Sequence, residues 1–311
     1  MTDQRLLVKL SKMYYDQNLS QKDMSDALGI SRPQISRLLQ KAREENIVSI
    51  KINDPNSNET ALEEALISRY RLKDALVLNT SGIAPESLLT EFGRLAAAHL
   101  EEYISSGDVV GVMSGRTIAA LVQATEQFSR RNLKIVPLVG GLGSRNAMWH
   151  ANAIAQLFAA HAHSTAYTLN APSVMQSEAA RDLLITEPDI RALLKLGAAC
   201  DVAIVGIGQV ENSASNVLAG ALNHADIGKL KEIGAVGSMC ISYFDSEGRL
   251  LHPEIETRMI GQSVESIRGA KTIALAIGTD KAEAIRAALK TEYVDVFITN
   301  VETAHHIIDK S

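Results

Sequence analysis

The chain has 311 residues, of which 46% are hydrophobic, 22% charged and only 4% aromatic, a composition that leaves room for two folded domains and excludes a disordered or low-complexity protein. No run approaches the roughly 18 apolar residues of a membrane span, Asp3, Arg5 and Lys9 stand where a signal peptide would be apolar, and Cys200 and Cys240 cannot make a disulfide framework; a cytoplasmic protein with no membrane partner is expected. The net charge of −5 is uneven, because residues 1–52 hold nine Lys/Arg against six Asp/Glu while the remainder holds 22 against 30. A basic head on an acidic body fits a head that meets phosphate while the body repels it.

In chain order, the first segment places Leu6, Leu7, Leu10, Met13 and Tyr14 on one stripe of a helix. The second opens at Ser20, with Asp23 three residues on as an approximate capping box. It is expected to bury Met24, Ala27 and Leu28 and to stop at Gly29, the residue suited to a left-handed turn. The third is capped by Ser31, has Pro33 in its first turn, and turns Ile35, Leu38, Leu39 and Ala42 inward. Helix, glycine-centred turn and second capped helix make a helix-turn-helix. Its outward face would carry Arg32, Gln34, Ser36, Arg37 and Lys41 into a major groove, where Arg matches guanine and Gln matches adenine. Ser20, Gln21, Ser31, Lys41 and Arg43 are candidate DNA contacts of the anchoring kind. Ile47, Val48, Ile50 and Ile52 read as a short strand, giving a winged-type domain over 1–52, and 53–58 reads as a linker.

The run LLVKLSKMYYDQNLSQKDMSDALGISRPQISRLLQKAREENIVSIKI closely resembles the head of SorC-type regulators, also called DeoR/SorC sugar-binding regulators. The body, 59–311, resembles the same family.

Through the body, apolar strands alternate with helical stretches. Strands are expected at 75–78, 109–113, 134–139, 165–169, 202–207, 273–277 and 294–298, and helices at 88–104, 147–161 and 282–289. Alternation of this kind predicts an α/β domain with a mostly parallel, Rossmann-like sheet, whose ligands bind beyond the carboxyl ends of the strands. Three loops there are rich in glycine and polar groups. Gly111 to Thr117 brings a hydroxyl (Ser114), a guanidinium (Arg116) and backbone N–H groups to a helix start, as an anion requires. Gly140 to Arg145 offers glycines, which serve packing more often than function. Gly278 to Lys281 places a lysine at a helix start, against the dipole, which a bound anion would explain. Taken locally, each loop has a plain structural reading beside the functional one.

The matching body motifs are GVMSGRTI, the GG-x-G loop, HANAIA, DVAIVGIG, GAVGSM…YFDSEG and AIGTDKAEAIRAAL. The resemblance implies a sugar-phosphate-isomerase-like fold that binds a sugar, polyol or sugar-phosphate effector and drives homo-oligomerisation to a dimer or tetramer. By that analogy Gly115, Arg116, Thr117 and Lys281 hold the effector's anionic group, and His150, ahead of Asn152, contacts the sugar; Ser114, Gly140, Gly141 and Ser238 complete the expected site. Two departures stand out. Val139 replaces the basic residue that some members carry before the double glycine, which speaks against a covalent adduct. Ser238 replaces a frequent acidic residue, which speaks against a bisphosphate.

No metal or cofactor is expected, since the histidine pairs His161/His163 and His305/His306 lack i, i+4 spacing and the cysteines lack CxxC spacing. The function expected is therefore a DNA-binding regulator of a carbohydrate-utilisation operon, not an enzyme, with operator DNA and a small effector as partners. The alternative is a sugar-phosphate isomerase-like enzyme with a DNA-binding appendage, for which Asp201, Asp245, His252 and Glu254 could supply an acid–base pair.

Overall fold

The computed structural model describes residues 4–45, 47–48, 57–126, 128–143, 147–218 and 220–309. They form two compact units, residues 1–55 and 56–311. Of the expected linker, Ser57 and Asn58 belong to a helix, and 53–56 lie outside the described residues. The strand expected from Ile47 is described only for Ile47 and Val48, which form a bend; 49–52 lie outside.

In the head, α1 (Gln4–Ser11) runs through a π-turn (Lys12–Asp16) towards α2 (Gln21–Leu28) and α3 (Arg32–Glu44). Ser20 accepts a bond from Asp23 N and the Asp23 carboxylate accepts one from Ser20 N, so the expected capping box is formed. Gly29 ends α2 at φ +64, in the left-handed region that a side chain resists. Leu10, Met24, Ile35 and Leu39 make the buried centre, with Leu6, Met13, Tyr14, Leu28 and Ile30 packed round it. Two expectations fail. Ala27 is exposed rather than buried, although its spacing from Met24 puts it at the edge of the same face. Ser31 occupies the N-cap position of α3, yet its side chain caps no N–H.

The body begins with α4 (Ser57–Tyr70), β1 (Asp74–Leu78), α5 (Pro85–Leu100), β2 (Val109–Val112) and α6 (Arg116–Gln123). Next come β3 (Lys134–Pro137), α7 (Ala151–His161), β4 (Thr165–Ala166), α8 (Glu178–Ile185) and α9 (Pro188–Ala198). Then follow β5 (Val202–Gly206), β6 (Gly208–Gln209), α10 (Ser215–Leu218), α11 (His224–Glu232), β7 (Gly237–Met239), β8 (Ser242–Phe244) and β9 (Leu250–Leu251). The chain closes with β10 (Lys271–Leu275), a 3-10 turn (Thr279–Lys281), α12 (Ala282–Lys290), β11 (Val296–Asn300) and α13 (Val301–Asp309).

All seven expected strands lie in one parallel sheet, ordered β1-β11-β10-β5-β2-β3-β4. Successive residues alternate between its two faces. Ala75, Val77, Ala203, Val205, Ala274 and Phe297 pack with α4, α12 and α13, while Val110, Val112, Ile204, Ile273, Leu275 and Ile298 pack with α5, α6 and α7. Gly93 lets α5 cross α6 closely, since a Cβ there would lie 2.5 Å from the Ala120 carbonyl. A smaller antiparallel sheet, β6-β7-β8-β9, was not foreseen.

Strand β4 stops short of the expected 165–169. The Asn152 side chain takes over the backbone of Leu169, accepting from its N–H at 2.9 Å and donating to its carbonyl at 3.0 Å. The chain direction reverses between β2 and β5: from β2 it proceeds outwards to β3 and β4, from β5 outwards the other way to β10 and β11. Such a switch point opens a crevice beyond the carboxyl ends of the strands.

Candidate functional site

The crevice is occupied by a cavity of about 290 Å³, at the lower end of the range for small-molecule sites. Its walls bring together the turn after β2 (Met113 to Thr117), the break between β5 and β6 (Gly206 to Gln209) and the turn after β10 (Ile277 to Lys281). Leu88, Leu89, Val139, Leu142, Ile207 and Ile241 supply apolar surface. Among the described residues that line it, the charged ones are Arg116, Asp280 and Lys281.

Two backbone turns aim these cations. Gly115 adopts φ +148 at the N-cap of α6, a conformation that glycine tolerates, and its N–H donates to the Trp149 carbonyl at 2.9 Å. The Arg116 guanidinium then lies over the Trp149 ring, 5.8 Å from its centre. Gly278, at φ +118, donates its N–H to Thr303 Oγ1 at 2.9 Å and fixes the start of the 3-10 turn that ends in Lys281. Lys281 is half-buried at the N-cap of α12. Burial lowers its pKa, the Arg116 charge lowers it further, and Asp280 opposes both. Two like charges held together beside the N-termini of α6 and α12 make an environment that an anion would relieve.

Ser114 and Thr117 are buried at 6% and 8% exposure, line the cavity, and have no side-chain hydrogen bond within the described residues. Neither oxygen is sealed off from the cavity, and a hydroxyl both donates and accepts, so both suit a bound oxygen. Cys240 also lines the cavity, and burial pushes its thiol up to about 12, which keeps it neutral and unreactive.

Of the residues expected from sequence, Ser114, Gly115, Arg116, Thr117, Ser238 and Lys281 therefore meet at one cavity. Gly140, Gly141, His150 and Asn152 are not part of its lining, and the reasons are visible. Gly140 N donates to the Ile260 carbonyl and Gly141 N to the Ala171 carbonyl, so those donors serve the fold. A Cβ on Gly140 would lie 2.6 Å from the Pro172 carbonyl oxygen, so this glycine permits close backbone packing. Asn152 is the tie on Leu169, and His150 is the N-cap of α7. Ser144 and Arg145 lie outside the described residues. Sequence reasoning missed Ser173, Gln209 and Ser213, which line the cavity; Ser173 and Ser213 come from segments without a glycine-rich signal, whereas Gln209 follows Gly206 and Gly208 at the end of the DVAIVGIG motif.

In the head, Arg32, Gln34, Ser36 and Arg37 are exposed on α3, and Arg37 lies on the side away from Ile35, Leu38, Leu39 and Ala42. Lys41 is partly exposed and pairs with Glu45 at 3.5 Å. Gln21 is partly exposed in the first turn of α2, and Ser31 is exposed. Ser20 differs from its expected part: its hydroxyl donates to Asp23 Oδ2 at 2.7 Å, so the hydrogen a phosphate would need is already committed beside a carboxylate. Arg43 Nε donates to Tyr15 Oη at 2.9 Å.

The acid–base candidates of the enzyme alternative do not line the cavity. Asp201 accepts from Val109 N, Asp245 holds Arg249, His252 pairs with Glu256, and Glu254 pairs with Lys229. No helix of the described residues is long and apolar enough to cross a membrane.

A family model for a sugar-binding domain matches residues 54–309. The chain is 29% identical to the sorbitol operon regulator of Klebsiella pneumoniae, with 98% of each chain covered. It is 28% identical to the deoxyribonucleoside regulator of Bacillus subtilis, again over 98% of each. The crystal structure of the full-length sorbitol operon regulator SorC from Klebsiella pneumoniae superposes with a TM-score of 0.77 at 28% identity, covering 99% of both chains. With the matched model spanning the whole α/β body, and with whole-length relatives that are themselves named regulators, the chain belongs to the SorC/DeoR-type family of sugar-binding transcriptional regulators.

Proposed function

We propose that the protein regulates a carbohydrate-utilisation operon, reading operator DNA with α3 and answering to a sugar, polyol or sugar-phosphate effector held in the cavity at the sheet's switch point. The observation that carries the effector half is the meeting of Arg116 and Lys281, from loops after β2 and β10, beside the unpartnered hydroxyls of Ser114 and Thr117. The DNA half is supported by the exposed polar face of α3 in a basic head. Arg32, Gln34, Ser36 and Arg37 are the base-reading candidates; Gln21, Ser31 and Lys41 are the phosphate anchors.

One helix-turn-helix reads few base pairs, so useful specificity needs a homo-oligomer, a dimer or tetramer, on a repeated operator. The effector acts by binding one arrangement of that oligomer better than another, and shifts it only by that difference. The isomerase-like alternative has less support, because its four candidate acids and bases are engaged elsewhere and the relatives are named as regulators.

A thermal-shift screen of the full chain against sugars, polyols and their phosphates tests the reading, since a specific ligand raises the melting point by mass action. The hit should also change operator affinity in an anisotropy titration. Turnover of any phosphate hit would instead support the enzyme.

A further inference from the structure

We propose that Tyr15 and Arg43 together form a clamp for one phosphate of the DNA backbone, at the C-terminal end of α3. The proposal rests on the reading of α3 as the DNA-reading helix. It adds a contact, shared with a second segment of the head, that holds the duplex without reading its sequence.

The local backbone makes the pair possible. Tyr14 and Tyr15 are neighbours, and in a regular α-helix neighbours point about 100° apart. Here the helix widens into the π-turn, with Gln17 N donating to the Lys12 carbonyl at 3.0 Å. Both rings pack at the edge of the small core, edge to face, with centres 5.0 Å apart. Widened turns of this kind are frequent at functional sites. Tyr15 Oη meets the last turn of α3 and accepts from Arg43 Nε at 2.9 Å.

That bond leaves a set of donors unengaged. It uses a lone pair of the tyrosine oxygen, so the O–H hydrogen has no acceptor among the described residues. It uses only the Nε–H of the guanidinium, so the N–H groups on Nη1 and Nη2 have none there either. The charge is also unmatched. At this end of α3, Glu44 accepts from Gln40 Nε2 at 3.0 Å and Glu45 pairs with Lys41 at 3.5 Å. Arg43 is exposed and makes no ion pair among the described residues. An arginine braced by a neutral hydroxyl, with its outer N–H groups unspent, is a fork ready for an anion.

Position selects the anion. Arg32, Ser36 and Arg43 recur at intervals of four and seven residues, so they share one flank of α3. A rise of about 1.5 Å per residue puts Arg43 about 16 Å along the axis from Arg32, farther than the major groove is wide, at about 12 Å. With Arg32 among the base edges and α3 entering by its N-terminus, Tyr15 and Arg43 stand at the rim, where the phosphates run. Tyrosine hydroxyls and arginines both serve as phosphate donors, and arginine can take two oxygens at once.

Fluorescence anisotropy with the full chain is the test. The probes are a duplex that the parent enriches from a random-sequence pool and a scrambled duplex of the same length and composition, each titrated over a range of salt. Tyr15→Phe keeps the ring and removes only the hydroxyl. It should weaken both duplexes by the same factor, about 3-fold to 10-fold, with salt dependence unchanged because the lost group is neutral. Its helix content by circular dichroism should match the parent, with melting within about 2 °C. Arg43→Gln should weaken both duplexes about tenfold at low salt and make the plot of log affinity against log salt shallower by about one for each bound head. Four results would each overturn the clamp: Tyr15→Phe within about twofold of the parent on both duplexes, a loss confined to the enriched duplex, a salt slope unmoved by Arg43→Gln, or a loss of helix in Tyr15→Phe. The second would make Tyr15 a positioning residue for α3, and the fourth a structural tie. If the parent enriches no duplex, or Arg37→Ala leaves both affinities unchanged, the reading of α3 as the DNA helix falls and takes the clamp with it.

Discussion

Arg37 in the head and Lys281 in the body are both cations, the first proposed to read a base of operator DNA and the second to hold an effector's anionic group, and their surroundings differ as much as their proposed targets. Arg37 stands exposed on α3, among Arg32, Gln34 and Ser36. Lys281 is half-buried, faces Arg116 across a cavity, and is held below its ordinary pKa. An exposed cation suits a long polyanion, where binding comes from many weak, salt-screened contacts with the backbone of the duplex. A half-buried pair suits one small anion, where a single strong interaction is made in a place that water reaches poorly. The sharpest way to break this division is to remove one cation from each region and measure both ligands.

Lys281→Met should produce the largest effect. Removing one partner of a desolvated charge contact costs about 2–5 kcal/mol, so the affinity for a phosphate monoester should fall by about 100-fold on titration, with operator affinity unchanged. Arg37→Ala comes next. If it makes a bidentate base contact it should cost about 1–3 kcal/mol of operator binding, read by fluorescence anisotropy at fixed salt, with the phosphate monoester still bound normally. Loss of both ligands in either variant would end the division. Gly140→Ala should weaken neither ligand directly. Its Cβ would be driven into the Pro172 carbonyl, so the expected effect is a loss of stability of about 1–3 kcal/mol in urea unfolding, with effector affinity per folded molecule intact.

That last variant also marks how far the sequence carries. The parallel sheet was legible because its strands are apolar runs bounded by glycine and polar turns, long enough to show their class. The antiparallel sheet was not, because β6 and β9 have two residues each, too short for any alternation to register. In the head, one continuous stretch of α3 carries both the inward and the outward face, so the face can be read directly from spacing. In the body, Arg116 and Lys281 come from opposite halves of the chain, and only the strand order brings them together. The three glycine loops look alike in sequence, yet Gly115 and Gly278 take positive φ beside the cavity while Gly140 packs against backbone. Ser173 had no signal at all, since a lone serine after Pro172 gains its meaning from the walls around it.

The smallest effect concerns the empty cavity and follows from the sign of the Lys281 shift. Burial, and then Arg116, place its folded pKa below the ordinary 10.5, so in the pH interval between the two values the unfolded chain binds the extra proton. Stability therefore rises with pH through that interval. Below the folded pKa the cost of a protonated Lys281 is present in full, and above 10.5 it is gone. Without ligand, Lys281→Met should accordingly melt about 1–3 °C higher than the parent at neutral pH, and the gap should narrow as pH rises towards 10. A bound phosphate monoester reverses the order: the anion favours the protonated lysine, so the parent gains stability that the variant cannot, and phosphate affinity falls as pH climbs through the folded pKa. A variant that melts lower than the parent at neutral pH without ligand would mean that Asp280 outweighs Arg116 and burial, leaving Lys281 a structural ion pair.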